Sequence, residues 1–140
     1  MYEYRAIVKK VVDGDTADVD IDLGFDVVLV NQRIRFYGID TPESRTSNKE
    51  EKVYGLAAKN FVKNFLKVGK PCILRTRKDA TGKFGRILGE FVIYDSKTDS
   101  QMTLNDLMIR EHHAVAYFGQ SKDDIEAEHL VNRTRVLLEE

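Results

Sequence analysis

Asp13-Gly14-Asp15-Thr16-Ala17-Asp18-Val19-Asp20-Ile21-Asp22-Leu23-Gly24 is the stretch whose periodicity decides the fold. Ala17, Val19, Ile21 and Leu23 share one parity, and Thr16, Asp18, Asp20 and Asp22 share the other. That period of two belongs to a strand with one buried face. Asp13-Gly14-Asp15 is a turn signal ahead of the strand, and Gly24 can end it in a hairpin. Upstream, residues 4–12 are rich in β-branched side chains and read as a strand. Downstream, residues 26–39 form another extended stretch, so that 15–23 and 26–39 make a long antiparallel pair. Thr41-Pro42 ends the pattern, because proline lacks the amide hydrogen that a ladder needs. Residues 44–52 are polar and read as a loop.

Helical spacing follows over residues 51–68. Val53, Leu56, Ala57, Phe61, Phe65 and Leu66 can share one face, and Gly69 is a good C-terminal stop. Residues 71–77 and 86–94 read as strands joined by the turn Asp79-Ala80-Thr81-Gly82, and residues 95–101 as a polar connection. Leu104, Leu107, Met108 and Ile109 mark a short helix, and residues 114–117 a short extended piece. Ile125, Leu130, Val136 and Leu137 suggest a last helix over 122–138. No repeat or low-complexity segment interrupts this order. Five short strands with a helix after the third match an oligonucleotide-binding barrel. Helices gathered late in the chain fit α+β rather than alternating α/β. The expectation is therefore one domain over residues 1–140: a five-stranded oligonucleotide-binding (OB-fold) β-barrel with three α-helices.

Composition narrows the class. At 42% apolar and 32% charged residues, the 140-residue chain suits a folded domain with a modest core rather than a disordered one. No apolar run approaches the roughly 18 residues that cross a bilayer, so a membrane partner is not expected. Met1-Tyr2-Glu3-Tyr4-Arg5 lacks the layout of a signal peptide. One cysteine, Cys72, excludes an internal disulfide and a cysteine-based zinc site, and it reads as a packed strand residue. His112, His113 and His129 are too scattered for a histidine-rich metal centre and read as structural or exposed. Tyr2, Tyr4, Tyr37 and Tyr94 read as sheet packing.

The net charge is −1, but it is unevenly spread. Residues 45–86 hold twelve cations against three acids, a net of +9, and the rest of the chain is −10. A +9 segment can attract a polyanion locally, or it can be a solvated helix face with edge-strand lysines.

Three groups of residues can carry chemistry. Asp15 has the parity of the buried face, where an unpaired carboxylate is costly. It either closes the turn or needs a cation or an N–H donor. Asp40 and Glu43 stand in Asp40-Thr41-Pro42-Glu43, at a strand end where the rigid proline sets the direction of the carboxylates. Two aspartates from adjacent strand ends, with a backbone carbonyl and waters, make a hard-cation site suited to calcium or magnesium; the same phrase is also an ordinary loop or helix cap. Asp18, Asp20 and Asp22 do not form a calcium loop of the helix–loop–helix type, because Gly24 comes one place late and Leu29 stands where a glutamate is required. Arg35 and Arg86 offer planar, bidentate bonds to phosphate. Each alone reads as a surface ion pair. Together with inward carboxylates they suggest phosphoryl chemistry, which must hold a cation and an anion side by side.

These residues resemble the staphylococcal nuclease (thermonuclease) family. The matching words are Val11-Val12-Asp13-Gly14-Asp15-Thr16, then Arg35 and Ile39-Asp40-Thr41-Pro42-Glu43. Tyr54-Gly55 with Ala58 and Phe61, Lys83-Phe84-Gly85-Arg86, and Val115-Ala116-Tyr117 follow in family order. They cover most of the chain and are jointly specific. The resemblance implies an OB-fold barrel with three helices and a calcium-dependent phosphodiesterase acting on DNA and RNA. Single strands would be favoured, and cleavage would leave 5′-hydroxyl and 3′-phosphate ends. It implies one calcium ion held by Asp15, Asp40 and the carbonyl of Thr41. Glu43 would orient or deprotonate the attacking water, and Arg35 and Arg86 would clamp the phosphate. Lys83, Phe84 and Tyr117 would flank the substrate, with Asp13 hydrogen-bonding behind the ligands.

Departures from the pattern are specific. Phe84 stands where a tyrosine is usual, which removes a phosphate hydrogen bond, and Gly119 stands where a second tyrosine is usual. The hairpin around Gly24 and the connection 95–101 look longer than in compact members, offering a substrate rim or the surface of a homodimer. A chain that starts almost at its first strand points to an intracellular enzyme, cytoplasmic or phage-encoded. A non-catalytic barrel that binds RNA or peptides is the main alternative, but such a module would be free to lose Asp15, Asp40, Glu43, Arg35 and Arg86. A purely structural calcium protein leaves the two arginines unexplained.

Overall fold

A computed structural model of the protein describes residues 2–81 and 87–138. In chain order these form β1 (Tyr2–Asp13), β2 (Thr16–Asp22), β3 (Val28–Phe36), β4 (Ile39–Asp40), α1 (Lys49–Phe65), β5 (Pro71–Thr81), β6 (Ile87–Asp95), β7 (Ser100–Thr103), α2 (Leu104–Arg110), β8 (Val115–Ala116) and α3 (Lys122–Arg133). The alternation after the first turn becomes β2, with Ala17, Val19 and Ile21 buried. β2 pairs antiparallel with β1 and β3; β1 pairs with β5, and β5 with β6. A parallel ladder of β3 with β6, in which Ile34, Arg35 and Phe36 face Ile87, Leu88 and Gly89, joins the two ends. Five strands thus close a ring, which with the three helices is the expected α+β OB-like barrel.

The core follows from strand geometry. β1 buries Ala6 and Val8 and then Val11; an irregularity between Val8 and Lys10 shifts the inward parity by one residue. Such a bulge bends a strand and increases its twist, which suits a strand wrapping a small barrel. Inside, Phe36 and Phe91 meet at 5.0 Å between ring centroids, and each is almost wholly buried. Burying one such ring stabilises the fold by roughly 1.5–3 kcal/mol. Ala58 and Val62 of α1 and Leu104, Leu107 and Met108 of α2 join the same core. No residue of α3 is buried, and no helix among the described residues is long and apolar enough to cross a membrane.

Several boundaries differ from expectation, each for a local reason. The stretch 26–39 is not one strand. Gly38 adopts φ +76° and turns the chain, so that Ile39 and Asp40 form a separate ladder with Ala116 and Val115. α1 starts at Lys49 within the expected loop, because the Asn48 side chain accepts the Glu51 N–H at 3.1 Å and caps it. It stops at Phe65 because Leu66 is already extended. Asp79, Ala80 and Thr81, expected in a turn, are strand, and Thr81 pairs with Ile87; Gly82, the last residue of the expected turn, falls outside the described residues. The connection 95–101 holds a turn whose Asp95 carboxylate accepts from Lys97 N and Thr98 Oγ1, and Ser100–Thr103 then returns along β6. α3 ends at Arg133 rather than 138. Thr134 N–H and Arg135 N–H bond carbonyls three residues back, and the Thr134 hydroxyl donates to Val131 O; such bonds tighten a last turn and end it.

Leu23, expected on the buried face, is exposed, because the barrel interior ends at Ile21. The hairpin beyond it exposes Phe25, Val27, Val28, Leu29 and Val30. Tyr2 and Tyr94, expected to pack on the sheet, are largely exposed as well.

Candidate functional site

A groove of about 1060 Å³ opens beside β4. The barrel side brings Arg35, Asp40, Thr41, Glu43 and Tyr117 to it, and α3 contributes Lys122, Glu126, His129 and Arg133.

Asp15 sits behind this groove in the β1–β2 turn. Its Oδ1 accepts from Thr16 Oγ1 at 3.0 Å, and its Oδ2 from Thr41 N at 3.4 Å. Burial pushes its carboxyl above the ordinary range; Arg35 opposes the shift, and the charges of Asp13 and Asp40 add to it. A charge pair at about 4 Å contributes roughly 4 kcal/mol at an effective dielectric near 20. Desolvating a carboxylate costs several kcal/mol, and the upward direction shows that desolvation prevails here.

Arg35 is the centre of the arrangement. It leaves β3 just before the Gly38 turn, and its NH1 and NH2 donate to Phe36 O and Ile39 O, both at 2.8 Å. The backbone of the turn thereby holds the guanidinium in one orientation. NH2 lies 3.5 Å from Asp15 Oδ2 and 3.8 Å from Asp40 Oδ1. One arginine therefore faces two carboxylates, with Asp13 nearby, and negative charge remains in excess.

Glu43 is exposed and lines the groove. Its segment is held by α1: a Cβ on Gly55 would overlap the Glu43 carbonyl group and come within 2.6 Å of Ser44 N, so only glycine lets the helix approach this closely. Tyr117 lines the groove, with its N–H donating to Gly38 O at 2.8 Å. Asp13 turns onto its own loop, accepting Gly14 N–H at 2.9 Å. Arg86, Lys83 and Phe84 lie outside the described residues; Leu88, two positions after Arg86, lines the groove.

The residues fit a hard divalent cation by donor chemistry. Asp15 and Asp40 each bring a carboxylate oxygen to the same Arg35 NH2, at 3.5 and 3.8 Å, and the desolvated Asp15 favours a cation nearby. Among the described residues no three His, Cys, Asp or Glu side chains converge. A bound ion would therefore draw the rest of its shell from backbone oxygen and water, as calcium and magnesium do.

Four participants escaped the sequence reading. His129, expected to be structural or exposed, brings Nε2 to 2.7 Å from Asp40 Oδ2. Asn105 is buried, and its Nδ2 donates to Tyr37 O and Gly89 O while its Oδ1 accepts Phe91 N–H. It ties α2 to the turn that carries Asp40. Phe118 is exposed beside Tyr117 at the groove. Tyr37 also reaches the groove, with the Arg77 guanidinium 4.2 Å above its ring. A histidine and a lone polar residue within amphipathic helices carry no signal of what they meet across the fold. His113 gives the opposite outcome: it is buried with its ring 4.6 Å from Phe61, as a structural histidine should be.

Comparison with known proteins agrees with this fold. The family model described as "Staphylococcal nuclease homologue" matches residues 33–135. Endonuclease YhcR of Bacillus subtilis (strain 168) is 28% identical over 121 residues, covering 83% of this chain and 9% of that protein. Thermonuclease of Staphylococcus intermedius is 39% identical over 82 residues, covering 59% of this chain and 45% of that protein. The chain thus spans less than half the length of either relative.

Proposed function

Since the chain belongs to the staphylococcal nuclease family, we propose that it hydrolyses phosphodiester bonds of DNA and RNA with the help of one calcium ion. The observation that carries the reading is Arg35, fixed by backbone carbonyls beside Asp15 and Asp40 at a groove that Glu43 also lines. Two relatives named as nucleases support it.

Asp15, Asp40 and the Thr41 carbonyl would hold the ion. Bound there, calcium would supply positive charge against the phosphate oxygens as negative charge builds on them. Arg35 and Arg86 bind the same phosphate through N–H donors, and such preorganised donors provide much of the rate enhancement. Glu43 accepts a proton from the water that attacks phosphorus, a contribution of typically ~10²–10⁴. The bond from phosphorus to the 5′-oxygen breaks, the electron pair leaves on that oxygen, and a proton from solvent completes the 5′-hydroxyl. The other fragment keeps a 3′-phosphate. Lys83, Phe84 and Tyr117 flank the strand, and Asp13 braces the turn that carries Asp15. Stacking and backbone charge hold a single strand with little base preference.

The test is a digest of labelled single-stranded DNA with calcium, with magnesium and with chelator, using the wild-type chain and Glu43→Gln. Calcium-dependent cleavage that falls by about 10²-fold or more in the variant is expected. Binding without cleavage under every condition would replace the enzyme with a binding module.

A further inference from the structure

His129 lies 89 residues from Asp40 in sequence, yet its ring meets the carboxylate at 2.7 Å. We propose that His129 is a positioning residue for the cation site, holding Asp40 Oδ2 so that Oδ1 is the oxygen turned toward the ion. The inference rests on the metal-dependent reading above.

Three observations converge on it. A carboxylate only accepts, so the bond needs the proton on Nε2. The other ring nitrogen, Nδ1, is buried without a hydrogen-bond partner among the described residues, so the ring's polar engagement there is with Asp40 alone. The two oxygens of Asp40 are also divided between directions. Oδ2 faces α3 through His129, and Oδ1 faces Arg35, which lies beside Asp15. A carboxylate ligand that binds through one oxygen and is hydrogen-bonded through the other keeps its orientation when the ion arrives, and loss of such a partner typically lowers metal affinity about 10–100-fold.

The contact also gives α3 a function that its packing does not. With no buried residue, the helix is held by particular polar contacts: His129 to Asp40, Asn132 Nδ2 to Ala114 O at 3.1 Å, and Arg133 near Glu50 and the Tyr54 ring. Asn132 tethers the helix without touching Asp40. It therefore separates loss of the helix from loss of the hydrogen bond.

The experiment is calorimetric titration of calcium into the full chain as wild type, His129→Leu, His129→Gln and Asn132→Ala. A parallel digest of single-stranded DNA by the wild type checks the parent reading. His129→Leu is expected to weaken calcium binding on the order of 10-fold or more. His129→Gln, whose amide N–H can reach the same oxygen, should stay within about 3-fold of wild type by the same reasoning, and Asn132→Ala should bind like wild type. Wild-type affinity in His129→Leu overturns the proposal. So does an equal loss in Asn132→Ala, which would assign the effect to helix docking, or in His129→Gln, which would deny the hydrogen bond. If the wild type neither binds calcium nor cuts DNA, the metal-dependent reading itself fails. Because α3 contributes nothing to the core, all three variants should fold, with thermal melts as the check.

Discussion

Burial pushes the Asp15 carboxyl upward, Arg35 pulls it back, and Asp13 and Asp40 push it further up. The folded state therefore penalises the ionised form relative to the unfolded chain, so removing the charge should relieve the fold. Asp15→Asn in chelator is expected to melt a few degrees higher, on the order of 1 kcal/mol, and to lose any rise on adding calcium. Scanning calorimetry with and without calcium reads both effects, and a lower melting point in chelator would contradict the argument. Gly55 makes the opposite case. Alanine would improve helix propensity by ~0.8–1 kcal/mol, but its Cβ overlaps the backbone at Glu43. Overpacking of that kind costs typically ~1–3 kcal/mol, so a net loss in the urea midpoint is expected, together with reduced DNA cleavage as Glu43 is displaced. Cys72 has no such tension: burial raises its thiol to about 11, consistent with a packed strand residue rather than a reactive one.

Elements meet through a few polar anchors. Asp95, at the end of β6, accepts from Arg110 of α2 at 2.8 Å and from Lys97 N and Thr98 Oγ1 in the following turn. The Arg110 hydrogen bond leads in holding its pKa below the ordinary value of 3.8, against a smaller opposing effect of burial. A depressed carboxylate contributes stability that is fully present above its unfolded value and is lost as pH falls through the lower folded value. Asp95→Asn should therefore cost stability near neutrality and flatten the fall below about pH 4, as urea midpoints measured from pH 6 to pH 3 would show. An acid limb as steep as in the wild type would assign the fall to other carboxylates. Asn105 is the second anchor. Its loss would take a partner from Tyr37 O and Phe91 N, while Gly89 O keeps the Tyr37 N–H at 2.8 Å; one buried group left unsatisfied costs ~1–3 kcal/mol.

Across the whole molecule, in the proposed reading, the site beside Arg35, Asp15 and Asp40 takes a cation and an anion together, and none of the described cations of the +9 stretch over residues 45–86 lines that groove. Ligands that bind only the folded state stabilise it by mass action. Calcium plus a nucleotide bisphosphate should therefore raise the melting temperature more than the sum of their separate effects, and chelator should return it. A purely additive response would mean that the two guests do not share a site. The barrel was legible because its information is local: alternation in residues 15–23 and the Thr41-Pro42 break act within a few residues, whereas the helix before Gly69 formed as expected but buries Gly55, Ala58 and Val62 and leaves the expected Val53, Leu56 and Phe65 exposed. Asp15 was legible for the same reason, since a carboxylate with core parity stands out against its own strand. The Gly38 turn, the β7 return and the early end of α3 were not, because each depends on hydrogen bonds chosen between competing conformations. Sequence alone thus determined the strand faces, the barrel and the acid and arginine candidates. Only the tertiary structure decided that Asn105 braces the turn carrying Asp40 and that His129 meets its carboxylate, because a contact across 89 residues is set by how closed sheet and outer helix pack, and no local periodicity encodes that.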